Sequence, residues 1–188
     1  GEIEWERTSY TGIPAQKRHP MSSHANCTPA TNGEFVVAFF GSEGLYCYDM
    51  NGNLQWSKDF GVLKSSFFLV KEAEWEFSSS PLIYKNVVII QCDVQENSFV
   101  AAYDIKSGEE LWKQNRDEYP GWSTPNIYSD GEKDIVVVNG YKHRGGYDFK
   151  TGKEIWRMVG GGDIPVPSPV IGNDYIYFNS AHGKVSPV

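Results

Sequence analysis

The sequence predicts an all-β protein, a β-propeller built from four-stranded antiparallel blades. Three observations lead to this prediction: a Tyr-Asp to Trp segment recurs along the chain, a Ser/Thr-Pro pair recurs in phase with it, and the apolar residues show no sustained helical period. Repeats at intervals in the forties and fifties are typical of propellers or solenoids. The 188 residues hold about four blades' worth of sequence, which we expect to be part of a seven- or eight-bladed ring.

The recurring segment is clearest at residues 103–112, where it predicts a strand, a turn and a second strand. A polar turn with glycine at its end separates two apolar or aromatic stretches. Residues 147–156 repeat it type for type, residues 48–56 repeat it with one turn residue fewer, and residues 1–5 repeat its second half. The aspartates of these turns are expected to bond nearby backbone amides. They are Asp49, Asp104 and Asp148.

The second marker precedes the first strand of each blade. It occurs at Pro29, Pro81, Pro125 and Pro169, and the intervals are 52, 44 and 44 residues. After each proline we expect a short first strand, an apolar second strand, a third ending in Tyr-Asp and a fourth carrying the Trp. The predicted blades are residues 1–7 (a last strand only), 22–60, 76–116, 121–158 and 165–188 (incomplete).

The two predicted partial blades at the chain ends are complementary. They allow a fragment of a larger ring, a four-bladed ring closed by its own termini, or two copies that associate into eight blades. We favour the fragment, because the sequence breaks off within a motif at both ends. Self-association that completes the ring is retained as a possible partner interaction.

Composition excludes several other classes. A net charge of −7 argues against nucleic acid as a partner, and no apolar run approaches the length needed to cross a bilayer. The acidic segment 1–5 is not a leader peptide. Cys27, Cys47 and Cys92 are odd in number and lack a CxxC spacing, so the sequence indicates neither a disulfide framework nor a zinc ribbon.

Candidate binding residues lie on one predicted face. If first strands line the ring axis, the blade-to-blade connections and the connections between second and third strands share a face, opposite the Asp-Gly turns. All four histidines fall there, although loops also collect polar residues without any ligand. The long connection over residues 60–77 is interpreted as a loop over the blade edge. The ligand-binding candidates are His24, Asn26, Trp122, His143, Asp163 and His182, of which His143 and His182 could instead cap loops.

The repeat resembles the PQQ-like β-propeller family, which includes quinoprotein alcohol dehydrogenases and the lipoprotein scaffold subunit of the bacterial outer-membrane protein assembly machine. Residues 102–112 and 146–156 match its Ala/Gly-x-Asp to Trp motif well, and residues 47–56 match it with a shortened turn. The resemblance implies that the Trp of each outer strand docks on the adjacent blade. The docking residues would be Trp5, Trp56, Trp112 and Trp156.

The family implies two different functions. The first is a non-catalytic scaffold that binds a protein or carbohydrate ligand through the loop face, in a bacterial, extracytoplasmic setting such as the periplasm or cell surface. The alternative is a dehydrogenase that uses PQQ with calcium, which would require adjacent cysteines over the quinone and Glu, Asn and Asp around the calcium. Since no adjacent cysteines occur and no calcium set can be placed, we predict the scaffold, with no catalytic residues, cofactor or metal.

Overall fold

The computed structural model describes residues 1–67 and 69–180 and consists of β-sheets stacked as blades. Blade 1 contains β1 (Ala30–Thr31), β2 (Phe35–Phe39), β3 (Leu45–Asp49) and β4 (Leu54–Lys58). Blade 2 contains β5 (Leu82–Tyr84), β6 (Val87–Cys92), β7 (Phe99–Asp104) and β8 (Glu110–Asn115). Blade 3 contains β9 (Asn126–Ser129), β10 (Asp134–Val138), β11 (His143–Asp148) and β12 (Glu154–Val159). A hairpin follows, formed by β13 (Val170–Gly172) and β14 (Tyr175–Tyr177).

Each blade is an antiparallel meander in which every strand pairs with the next along the chain. A short 3-10 turn, Gly41–Glu43, joins β2 to β3. This arrangement confirms the predicted all-β propeller with four-stranded antiparallel blades. No helix within the described part of the chain is long and apolar enough to cross a membrane.

The chain ends differ from the prediction at one point. Residues 1–7 were expected to form a last strand, but no strand is assigned there. A strand exists only where its backbone groups pair with a neighbour, and none of the described strands pairs with this segment. At the other end, β13 and β14 form the first two strands of a further blade, and residues 181–188 lie outside the described residues.

The core lies between the blades. The middle strands of blade 2 are buried on both faces, as in β7, where residues 99–103 are all buried. One apolar cluster joins blades 1 and 2, and a second joins blades 2 and 3. A four-stranded sheet that is apolar on both faces requires a neighbour on each side, which explains the radial stacking.

A tryptophan on the outer strand bridges each blade to the next. The Trp56 indole Nε1 donates to the Ile105 carbonyl oxygen at 2.8 Å, and the Trp112 Nε1 donates to the Phe149 carbonyl oxygen at 2.9 Å. The Trp56 ring lies against Gly108, where an added Cβ would be 2.8 Å from the ring. Gly108 also has a φ of +72°, so both the turn and the indole require glycine there.

The indoles near the two ends differ in their contacts. Trp5 repeats the geometry, because its Nε1 donates to the Met50 carbonyl oxygen at 2.9 Å and its ring lies against Gly52. The segment at residues 1–7 therefore packs through its tryptophan although it forms no strand. Trp156 contacts Phe178 edge to face, with ring centroids 6.4 Å apart.

The three turn aspartates bond their own turns. Asp104 Oδ1 accepts from the Ser107 amide at 2.8 Å, and Asp148 Oδ1 accepts from the Thr151 amide at 2.8 Å. Asp49 does the same within its shorter turn. Since these hydrogen bonds favour the ionised carboxylate, they lower the pKa of all three aspartates.

The Ser/Thr-Pro pairs connect the first strands of successive blades. The Thr28 amide donates to Ser80 Oγ at 2.8 Å, and the Ser80 amide donates to Thr124 Oγ1 at 3.0 Å. The next blade is joined by Ser123 Oγ, which donates to the Pro167 carbonyl oxygen at 3.0 Å. The recurring hydroxyl therefore holds each blade at a fixed position relative to its neighbour.

Candidate functional site

Contacts between connections divide the molecule into two loop sets. On one side, the turn after β7 meets the turn between β5 and β6, where the Ile105 amide donates to the Asn86 carbonyl oxygen at 3.0 Å. On the other, the connection from β8 to β9 meets the connection from β10 to β11, where the Lys142 amide donates to Glu118 Oε2 at 2.9 Å. We call this second side, formed by the blade-to-blade connections and the connections between second and third strands, the loop face.

The loop face carries a cavity of about 570 Å³. Its walls come from four successive segments, each of which leads into the first strand of a blade. The lining residues are Ser22, Asn26, Thr28, Trp75, Ser78, Ser80, Trp122, Ile164 and Val166. We call it the tryptophan cavity. Aromatic and aliphatic walls with a few hydroxyl groups are typical of ligand sites.

The two tryptophans give the cavity one fixed wall and one accessible wall. Trp122 is buried, its Nε1 donates to the Glu76 carbonyl oxygen at 2.8 Å, and its amide donates to the Pro165 carbonyl oxygen at 3.0 Å. Trp75 keeps 39% of its surface exposed and is stacked by the His19 ring at a centroid distance of 4.0 Å. An exposed indole backed by a stacked imidazole offers a flat apolar surface to a ligand.

Besides Trp122, two predicted residues lie at or next to this cavity. Asn26 lines it, while Asn26 Oδ1 accepts from the Ser23 amide at 3.0 Å and so closes its own loop. Asp163 is half-buried and precedes the lining residue Ile164, and its carbonyl oxygen accepts from Ser180 Oγ at 2.8 Å.

His24 belongs to a second feature, a group of one histidine and two glutamates that we call the Glu76 cluster. It contains His24, Glu43 and Glu76, whose ligand atoms all lie within 4.8 Å of one another. The His24 Nδ1 is 2.8 Å from Glu76 Oε2, and Glu76 is 1% exposed. Burial raises the pKa of Glu76, because no guanidinium or ammonium group contacts its carboxylate within the described residues.

A third feature, the Arg116 cluster, lies between blades 2 and 3. Arg116 binds Asp93 with two contacts, Nε to Oδ1 at 2.7 Å and Nη2 to Oδ2 at 3.1 Å. Arg116 Nη1 also donates to the Tyr147 hydroxyl at 2.8 Å. Glu118 Oε1 lies 2.8 Å from His143 Nδ1 and accepts from the His143 amide at 2.9 Å. All of these side chains are buried.

The ionisation of the Arg116 cluster follows from these contacts. Burial opposes the charge on Glu118, but its hydrogen bond with His143 and the charge of Arg116 outweigh burial, and the pKa of Glu118 is lowered. Burial likewise opposes the charge on Arg116, but the Asp93 carboxylate outweighs it and raises the pKa of Arg116. For Asp93, burial dominates in spite of Arg116 and raises the pKa.

Comparison with known families gives a match over almost the whole chain. The PQQ repeat model described as "Outer membrane protein assembly factor BamB" matches residues 1–185. The chain belongs to this family. A comparison with curated proteins gave no match.

Solved structures of PQQ-like propeller proteins are similar in fold. BamB from Moraxella catarrhalis is 17% identical with a TM-score of 0.61, and the match covers 86% of this chain and 46% of that chain. The quinohemoprotein alcohol dehydrogenase from Comamonas testosteroni is 18% identical with a TM-score of 0.54, covering 72% and 21%. The computationally designed Ika4 protein is 15% identical with a TM-score of 0.54, covering 93% and 96%. This PQQ-like chain thus spans less than half of the BamB structure that it matches.

The cofactor implied by the dehydrogenases of this fold does not fit the residues of this chain. The resemblance to quinoprotein alcohol dehydrogenases implies a pair of adjacent cysteines over the quinone. Here Cys47 and Cys92 are buried on separate strands, β3 and β6, and Cys27 lies in the connection before β1. The part of the PQQ-like propeller formed by this chain therefore supplies no such cysteine pair.

The structure separates the predicted site residues into three groups. Asn26 and Trp122 meet in the tryptophan cavity, and His24 lies in the Glu76 cluster. His143 is 2% exposed and bonded within the Arg116 cluster, and its role as a ligand contact stays a prediction. Asp163 lies beside the cavity, whereas His182 falls outside the described residues.

Several residues of the Glu76 and Arg116 clusters were not predicted from the sequence. Glu76 stands five residues before Pro81, as His24 stands five residues before Pro29, so the repeat register itself could have identified it. Glu43 lies in the 3-10 turn between β2 and β3, a connection that the sequence had already assigned to the loop face. Arg116 and Glu118 were not among the predicted site residues, and no local signal in the sequence distinguishes them.

Proposed function

We propose that this PQQ-like chain is part of a non-catalytic β-propeller scaffold that binds a protein ligand in the tryptophan cavity of the loop face. The observation that carries the proposal is the meeting of Trp75 and Trp122 with Ile164 and Val166 in one open cavity of about 570 Å³. Partly exposed aromatic residues over fixed apolar walls are the usual anchors of protein interfaces.

The lining favours a protein over a carbohydrate. None of the described residues that line the cavity is charged, and the amide side chain among them, Asn26, uses its Oδ1 within its own loop. Sugar hydroxyl groups require several well-placed polar partners, whereas apolar peptide side chains require apolar walls. The name of the matched family, an outer membrane protein assembly factor, agrees with a protein ligand.

The family also supports two further parts of the proposal. We place the protein outside the cytoplasm, in the periplasm or at the cell surface, as the family resemblance implies. We also assign the indole contacts of Trp5, Trp56 and Trp112 to the family's docking motif, with Trp156 as the corresponding residue of blade 3. Light scattering tests how the ring is completed, since a compact monomer would argue against a ring of two copies.

Replacement of Trp75 with Ala tests the ligand site. Peptides selected from a displayed library on the wild-type protein should bind the Trp75→Ala variant at least about tenfold more weakly, because an exposed aromatic anchor is lost. Tyr175→Ala is the matched control, since Tyr175 is an exposed aromatic residue on β14 that does not line the cavity. Unchanged peptide affinity in Trp75→Ala, or binding to a glycan array without any peptide binder, would overturn the proposal.

A second measurement addresses the dehydrogenase alternative. Calorimetry and absorbance with added PQQ and calcium should show no stoichiometric uptake, because this chain lacks the cysteine pair of the quinone site. Tight uptake of one quinone per chain would replace the scaffold with an oxidoreductase.

A further inference from the structure

We propose that His24, Glu43 and Glu76 form a binding site for a divalent first-row transition-metal ion such as Zn²⁺. The three side chains come from the connection before β1, the turn between β2 and β3, and the connection before β5, so the site joins blades 1 and 2. It is separate from the tryptophan cavity, and the sequence alone predicted no metal. It therefore goes beyond the proposed function.

Each side chain directs an unused ligand atom into the cluster. His24 Nδ1, Glu43 Oε2 and Glu76 Oε2 are buried, and none of them has a hydrogen-bond partner among the described residues. The His24 Nδ1 and Glu76 Oε2 atoms are 2.8 Å apart, so they can form an ion pair when the imidazole is protonated. A metal ion would take the place of that proton. A buried polar atom without a partner is costly and calls for a ligand.

Backbone amides hold the other carboxylate oxygens. Glu43 Oε1 accepts from the Ala15 amide at 2.8 Å, and Glu76 Oε1 accepts from the Phe77 amide at 3.3 Å. One oxygen of each carboxylate is thus fixed by the protein and the other is available. Such outer contacts orient the ligands of a metal before it binds.

The charge of the cluster also favours a cation. Two carboxylates approach each other around His24, and no lysine or arginine pairs with either of them in the described ion pairs. Glu76 is 1% exposed, so water does not compensate its charge. A divalent ion would neutralise both carboxylates at once.

The donor set selects the class of ion. One imidazole nitrogen and two carboxylate oxygens suit zinc and its first-row neighbours, whereas calcium and magnesium prefer oxygen ligands alone. Three protein ligands leave a coordination position free. A second cavity, of about 360 Å³, lies beside the site and is lined by His24 and Glu43, together with Arg7, whose guanidinium donates to the carbonyl oxygens of Gly52 and Glu6. This cavity gives the ion a path from solvent.

Titration of the chelator-treated protein with zinc chloride tests the site. Calorimetry should show one ion bound per chain, and cobalt chloride should give the visible absorption of a directly coordinated ion. The substitutions Glu43→Gln and His24→Gln should each lower zinc affinity about 100-fold or more, because each removes a direct ligand. Glu43 is half-buried, so Glu43→Gln keeps the test valid even if Glu76→Gln fails to fold.

Two matched controls come from the same face. His19→Gln removes the histidine that stacks on Trp75, and Glu72→Gln removes an exposed carboxylate of the connection before β5. Both variants should bind zinc as the wild type does. The proposal is overturned if the wild type takes up no zinc, if Glu43→Gln and His24→Gln bind it unchanged, or if His19→Gln weakens binding as much as His24→Gln.

Discussion

The Arg116 cluster and the Glu76 cluster lie at successive blade interfaces of the loop face. Both bury a glutamate carboxylate, but they surround it with different partners. In each cluster a carboxylate oxygen of a buried glutamate lies 2.8 Å from a histidine Nδ1. The pairs are Glu118 with His143 and Glu76 with His24. Only the first contains a guanidinium, from Arg116, among its described partners. The pKa of Glu118 is lowered and the pKa of Glu76 is raised.

This difference shows what a buried carboxylate requires. Removing a charge from water costs several kcal/mol, roughly, unless a partner compensates it. Where the fold supplies Arg116, its guanidinium contacts both buried carboxylates, and the pKa of Glu118 is lowered. Where it does not, the carboxylates remain available for a proton or a metal ion. We therefore interpret the first cluster as structural and the second as a binding site.

Removal of the guanidinium should give the largest effect. Arg116→Met leaves Asp93 and Glu118 buried without their cation and should lower the free energy of unfolding by roughly 3 to 5 kcal/mol. Urea denaturation at neutral pH measures this loss. A loss below about 1 kcal/mol would mean that protonation of Asp93, whose pKa burial raises, relieves the cluster.

An exposed ion pair of the same chain provides the control. Lys85 pairs with Asp134 at 2.6 Å, but Lys85 remains largely exposed. Lys85→Met should therefore lower the free energy of unfolding far less than Arg116→Met does in the same denaturation experiment. Equal losses in the two variants would remove the distinction between a buried and an exposed cation.

Zinc should stabilise the protein through the Glu76 cluster alone. At a free concentration about 100 times the dissociation constant, binding to the folded state should raise the free energy of unfolding by about 2.7 kcal/mol. The rise should vanish in Glu43→Gln and persist in Glu118→Gln, which alters only the Arg116 cluster. Denaturation with and without zinc checks this, and an equal zinc response in both variants would contradict the assignment.

The two glutamates should also give opposite pH dependences when a chelator is present. The pKa of Glu76 is raised above 4.5, so above that pH the folded state keeps a proton that the unfolded state releases, and stability falls as pH rises through the folded pKa. The pKa of Glu118 is lowered, so its stabilisation is present above pH 4.5 and is lost as pH falls through the folded pKa. Each slope can reach about 1.4 kcal/mol per pH unit.

Single substitutions separate these slopes. Glu76→Gln should make the decline above pH 4.5 shallower, and Glu118→Gln should make the loss below it shallower. The remaining slopes come from Asp93, whose pKa is also raised, and from the turn aspartates, whose pKa values are also lowered. Unfolding free energies measured across this range report each effect. Identical pH profiles for the two variants would show that the clusters do not differ in the way described.

Much of the fold could be predicted because its signals are local. The turn of residues 104–108 and the apolar run of residues 135–138 specify strand, turn and strand without reference to distant residues. The absence of an assigned strand at residues 1–7 has a different origin. That segment has the sequence of a last strand, but a strand also requires a partner that lies elsewhere.

The site was less predictable because burial depends on distant neighbours. The segment 115–119 is polar in sequence, yet Arg116 and Glu118 are only 5% and 6% exposed. They are buried because they contact each other, Asp93 after β6 and His143 at the start of β11. Trp75 and Glu76 fall in the long connection before β5, where the interval between repeats changes. Their register with other blades is visible only when positions are counted back from Pro81.

The docking indoles have a consequence for how such a chain can change in length. The contact between blades 1 and 2 has two complementary parts, the Trp56 indole of blade 1 and the Gly108 turn of blade 2 against which it packs. Trp112, at the far edge of blade 2, makes the corresponding contact with blade 3. Because every repeat carries a complementary half at each edge, duplication of one repeat in the gene would insert a blade that already fits both neighbours. Propellers of this kind can therefore gain or lose whole blades without coordinated substitutions elsewhere.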